Sequence, residues 1–183
     1  MKYKVIFDTN SIRNAESAAD FLGGRVDLER FSKMSEIIIP DIVIEEIKAQ
    51  KRKHLISKRD SFLSNPFHFL RKIDIKETEN FNIDEWILEL VKREKISYTQ
   101  VSLTGDGILE KIKRMCLDCI PPFEDGSDKG FKDAYIYFTI LEYLSNCKDK
   151  NIFCVTKDER LRLALSKIGR IKVIKGYDEF ENY

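Results

Sequence analysis

A chain of 183 residues can bury one substantial core, and its simplest organisation is a single domain over residues 1–183. Its 32 lysines and arginines nearly cancel 31 aspartates and glutamates, so net charge argues neither for nor against a nucleic-acid partner and local charge must decide. No stretch approaches the length of a membrane span, the N-terminus runs into Asp8 and Asn10 too soon for a signal peptide, and four irregularly spaced cysteines do not make a secreted disulfide framework; a cytoplasmic protein is expected.

The first element, Lys4 to Phe7, is an apolar, β-favouring run of the kind that forms a central parallel strand, and it stops on Asp8-Thr9-Asn10. Ile12 to Leu22 and Leu28 to Met34 read as helices joined at Gly23-Gly24. Glu36 to Ile39 is a second strand, and a longer helix starts at Asp41, behind Pro40. From Ser64 to Gly105 strand signals weaken, while Ile83, Trp86, Ile87, Leu90 and Val91 recur at helical spacing, so residues 51–105 read as a helical arm or insertion with Trp86 in its core. "GILEKIKRMCLDC" reads as a helix ending in a Cys116/Cys119 pair. Zinc would need a second close pair, which Cys147 and Cys154 do not supply, and a redox motif belongs after a strand, so free thiols are expected. Prolines and glycines mark Ile120 to Gly130 as a loop. A helix around Asp133, a strand at Ile152 to Val155, a helix in "ERLRLALSK" and a strand at Ile171 to Lys175 complete the chain. Short strands separated by helices predict an α/β fold with a largely parallel sheet.

Four acids follow strands or lie early in helices: Asp8, Glu46, Asp133 and Asp158. Each has a plain structural explanation as a helix cap or a solvated charge. Their common position is what separates them from ordinary caps, because ligands of open parallel sheets bind at the carboxyl edge of the strands. At 100° per residue, Val43, Ile44 and Ile47 form the inward stripe of their helix; Glu46 borders it and Glu45 lies on the wet side, so Glu46 is the candidate. Four gathered carboxylates repel one another unless a cation is bound, and an all-oxygen set selects Mg²⁺ or Mn²⁺ over zinc. The two histidines, His54 and His68, support neither a zinc site nor a Ser-His-Asp triad.

The strand ending in DTN, the "EEI" helix, the "KDA" helix and the strand followed by "TKD" together resemble the PIN-domain nucleases. "PPFEDGSDKGFKDAYIY" with "FCVTKDERLR" resembles a bacterial PIN-like branch with PPF and GFKDA as its most distinctive block. The resemblance covers residues 2–50 and 104–175. It implies a three-layer α/β/α fold with a short, mostly parallel sheet, one or two divalent ions, and hydrolysis of phosphodiester bonds in RNA or sometimes DNA. By position it makes Asp8, Glu46, Asp133 and Asp158 the catalytic and metal-binding quartet, with Asn10 and Thr156 as polar companions and Asp128 as a spare acid. The implied products carry 5′-phosphate and 3′-hydroxyl ends.

Substrate phosphates need cations, and Lys48 to Arg59 holds six lysines or arginines in twelve residues. Lys51, Arg52 and Lys53, with Lys129, Lys132 and Lys157 near the acids, are the candidate nucleic-acid contacts, against the alternative of a solvated face. Two other functions compete with the nuclease. A phosphatase of the haloacid-dehalogenase type needs a second Asp where this chain has Asn10. A non-catalytic binding module is the alternative that the fold permits. A toxin, a phage-defence effector and an RNA-processing factor all fit, and with them an antitoxin, a defence-system protein or a second copy of the chain as partner.

Overall fold

The computed structural model describes residues 3–124 and 129–183. Its centre is a five-stranded sheet in which every pairing is parallel, ordered β3-β2-β1-β4-β5. The strands are β1 (Tyr3–Phe7), β2 (Ser35–Pro40), β3 (Thr99–Val101), β4 (Ile152–Val155) and β5 (Lys172–Ile174). β1 lies between β2 and β4, with Val5 in register with Ile37 on one side and Phe153 on the other. That middle place explains its composition, since Val5, Ile6 and Phe7 are all buried and a strand covered on both faces has no polar side.

Helices cover both faces and make the three-layer α/β/α sandwich. In chain order they are α1 (Thr9–Ile12), α2 (Arg25–Met34), α3 (Asp41–Leu63), α4 (Pro66–Arg71), α5 (Lys76–Glu79), α6 (Ile83–Arg93), α7 (Ile108–Leu117), α8 (Phe131–Asn146), α9 (Glu159–Ser166) and α10 (Tyr177–Phe180). Leu28 and Phe31 of α2 are buried, and the Phe31 ring meets Phe7, Tyr177 and Phe180 edge-on. The core continues through Val43, Ile44 and Ile47 of α3 and Ile136 and Ile140 of α8. A smaller cluster, Ile112, Phe123, Ala134 and Phe138, seats α7 on α8. Among the described residues no helix is long and apolar enough to cross a membrane.

Two expectations about local structure change. The helix expected from Ile12 to Leu22 is absent: α1 stops at Ile12, and the chain then runs irregularly to Gly24. The cause is competition for its backbone. Ser17 Oγ accepts from the amides of Ala19 and Asp20, an ST-turn that replaces helical bonding, while the carbonyls of Asn14 and Ser17 are taken by the Lys51 ammonium. The stretch from 64 to 105, expected to be helical, holds α4, α5 and α6 but ends in β3, which pairs with β2 from Ile38–Thr99 to Pro40–Val101. Trp86 is partly buried against the main core, and its Nε1 donates to the Ala18 carbonyl at 3.1 Å. The four cysteines are free thiols, Cys119 exposed and Cys154 buried.

Candidate active site

β1 delivers Asp8 to the carboxyl edge of the sheet, where its amide extends the ladder by donating to the Val155 carbonyl at 3.1 Å. The side chain is buried and held on both oxygens. Oδ1 accepts from the Thr9 amide at 2.6 Å, and Oδ2 accepts from the Thr156 hydroxyl at 2.8 Å. Thr156, one step beyond β4, also accepts from the Asp158 amide at 3.1 Å, so it ties the two acidic turns together. Asp158 caps α9, its Oδ1 accepting from the amides of Arg160 and Leu161 at 2.9 and 2.8 Å.

Glu46 comes from the second turn of α3, and its Oε2 accepts from the Thr9 hydroxyl at 2.9 Å. Its Oε1 takes the Gln50 amide at 3.2 Å and the Lys132 ammonium at 2.7 Å. Glu45, one residue away, is exposed and pairs with Lys48. Asp133 sits in the first turn of α8. The start of that helix is fixed by Gly130, whose φ of 117° suits glycine and whose missing side chain admits the Pro122 carbonyl; a Cβ there would lie 2.7 Å from that oxygen. This close approach is the physical link between the PPF turn and the KDA helix.

Asp8, Thr9, Asn10, Glu46, Lys129, Gly130, Phe131, Lys132, Asp133 and Asp158 line one open cleft of about 460 Å³. Asn10 is exposed there, whereas Thr156 is buried beneath Asp8. The crowding has an electrostatic signature. Burial, opposed by the Thr156 and Thr9 bonds and reinforced by Asp158 and Glu46, pushes the Asp8 carboxyl up to about 6. Burial and then the charges of Asp158, Asp8 and Glu46 push Asp133 up to about 7, with Lys132 opposing them. Two acids thus hold protons well above the ordinary carboxylate range, because burial first and the facing acids after it disfavour their charge.

The donor chemistry fits a hard divalent ion: carboxylate oxygens predominate, hydroxyl and amide oxygens lie beside them, and the cleft lining contains no thiol or imidazole. The grouping is not a closed cage, for among the described residues no three His, Cys, Asp or Glu side chains are arranged to hold a metal ion.

The basic candidates divide. Lys129 and Lys132 line the cleft, and Lys157 is exposed between Thr156 and Asp158. Lys51 must be corrected: it is fully buried, and its ammonium donates to the Asn14 carbonyl and, at 2.8 Å, to the Ser17 carbonyl, so it does not face a substrate. It points inward because α3 passes under the loop that follows Asp8. Arg52 reaches Asp84 at 2.9 Å and clips α3 to α6, and Lys53 is exposed. Asp128 lies outside the described residues. Lys51→Met is accordingly expected to destabilise the fold by about 2 kcal/mol in urea denaturation, since two carbonyls lose their buried donor. An unchanged midpoint would show that the loop satisfies them otherwise.

Two members of the site were not singled out from the sequence. Thr9 bridges Asp8 and Glu46 through its amide and hydroxyl, and Gln50 braces Glu46 from one turn along α3. The spacing of four from Glu46 to Gln50 carried a signal for the second, because i and i+4 side chains share a helix face.

Fold and cleft together define a parallel α/β domain with an acidic cleft at the carboxyl edge of its sheet. The chain belongs to the PIN-domain family, whose model matches residues 5–161. PIN domains are generally nucleases and typically use divalent metals. Comparison with curated proteins and with solved structures found no match.

Proposed function

We propose that this chain is a metal-dependent nuclease that hydrolyses phosphodiester bonds, with RNA as its substrate and Mg²⁺ or Mn²⁺ as its cofactor. The supporting observation is the meeting of Asp8, Glu46, Asp133 and Asp158, from four separate segments, around one open cleft. When bound, a divalent ion makes water acidic enough to attack phosphorus near neutral pH and offsets the charge that grows on the phosphate.

The protein's part is orientation and charge. Thr9 and Thr156 fix both oxygens of Asp8, so this carboxylate needs little reorganisation to serve as the central ligand. Thr9 also directs Glu46 toward the same cleft. Asp158 keeps one oxygen on the α9 amides and has the other for the shell or for an attacking water. Asp133 faces all three acids and is the ligand whose ionisation depends most on a cation. Lys129 and Lys132, on the cleft wall, supply positive charge for substrate phosphates.

Incubation of the purified protein with single-stranded and structured RNA, and with DNA of the same sequences, in Mg²⁺, Mn²⁺ or chelator tests the reading. Cleavage of RNA in metal and silence in chelator are expected. RNA binding without cleavage in either metal would favour the non-catalytic module, and cleavage of DNA alone would move the substrate.

A further inference from the structure

We propose that Lys132 is the site's own counter-cation, holding Glu46 in an ion pair when no divalent ion is bound and giving it up when one arrives. This inference rests on the metal-dependent reading above. The geometry behind it is an ammonium 2.7 Å from Glu46 Oε1, inside a cleft that Asp8, Asp133 and Asp158 also line. Glu46 is the better buried of the two, with side-chain exposure of 17 % against 59 % for Lys132. The lysine is therefore the partner free to swing away.

The pair is not an ordinary surface bridge. Glu46 Oε1 carries two donors in this arrangement, Lys132 and Gln50, while Oε2 takes Thr9 alone. A dication that recruits Glu46 through Oε1 displaces Lys132, and one bound through Oε2 faces the ammonium's positive charge within one side chain's length. Like charges at that range repel even in a water-rich cleft, so Lys132 lowers the affinity of the site for metal. It also supplies positive charge to the acids while the ion is absent. Once displaced, the same ammonium lies on the cleft wall, where a substrate phosphate is its natural partner.

Calorimetric titration of MnCl₂ into chelator-stripped full-length protein tests this without reference to activity. Lys132→Met is expected to bind Mn²⁺ about tenfold more tightly than the parent, and Lys132→Arg, which keeps the charge, to match the parent within about twofold. In a Glu46→Gln background the ammonium is no longer held at the site, so Lys132→Met should give a much smaller gain. Equal or weaker binding by Lys132→Met, with the parent binding normally, overturns the role of Lys132 and leaves the metal site standing. Absence of binding by every variant and by the parent overturns the metal reading itself, and the counter-cation with it.

Discussion

Asp133→Asn is expected to abolish metal-dependent cleavage and, in chelator at pH 8, to raise the melting temperature. Both effects have one cause. Burial and three facing acids keep the folded Asp133 carboxyl protonated up to about 7, from an ordinary value of 3.8. Folding therefore takes up a proton between those values. The stability linked to it is fully present below the unfolded value and is lost as the pH rises through 7. An asparagine does not titrate and escapes that loss, so the variant gains on the parent as the pH climbs and is level with it near pH 4. With solvent screening a carboxyl on a cleft wall, the gain is about 2 kcal/mol, or about 4–8 °C for a chain of this size. Millimolar Mn²⁺ should reverse the order, because a ligand that binds only the folded parent stabilises it by mass action. Melts at pH 4.5 and 8, with chelator and with Mn²⁺, read out all of this. A parent insensitive to Mn²⁺, with Asp133→Asn no more stable at pH 8, would show that these acids do not share one ion.

The second large effect lies away from the cleft. Glu94 caps the end of α6 with a side chain almost wholly out of solvent, and four donors converge on it. Arg25 gives two, at 2.5 and 3.0 Å, and the amides of Leu22 and Ile96 give the others at 3.2 and 3.1 Å. Burial works against its charge, yet Arg25 and the two amides outweigh burial and lower its pKa. Arg25→Met is expected to cost about 3–5 kcal/mol in chemical denaturation, because it leaves a carboxylate in the interior without its cation. Adding Glu94→Met should restore part of the loss, and a double-mutant cycle measures the coupling. If Arg25→Met alone costs less than about 1 kcal/mol, water reaches Glu94 and the pair is a surface bridge.

The strands were legible wherever both faces are covered. Val5 to Phe7 of β1 and the whole of β4 are continuous runs of Val, Ile, Phe and Cys, and no helix pattern competes with them. β3 was not legible, because Thr99-Gln100-Val101 lies at an exposed edge of the sheet and carries no apolar run. The stretch from Ile12 to Leu22 misled for the opposite reason: its composition suits a helix, and beside the local Ser17 turn the group that holds it unwound is Lys51, dozens of residues away. Lys51 itself read as one more charge in a basic run, since nothing local tells a lysine that it will find two carbonyls beneath it. At the candidate site the four acids drew notice through their positions after strands or early in helices, and the helical angle separated Glu46 from Glu45. The linking groups were not, because Thr9 and Gln50 acquire their roles only when α3 is laid across the end of β1.

The strand order also governs when, in the life of a nascent chain, the acids can meet. β1 emerges first, yet one of its two neighbours in the sheet is β4, and Asp8 is locked by a hydroxyl 148 positions further along. A ribosome that has released the chain as far as β3 has exposed Asp8 and Glu46 while Asp133 and Asp158 have yet to emerge. Such long-range closure is slow relative to helix formation, so assembly of the cleft waits on the second half of the sheet. An acid set divided in this way keeps any activity it carries silent during synthesis, and a chain truncated before β4 would lack it altogether.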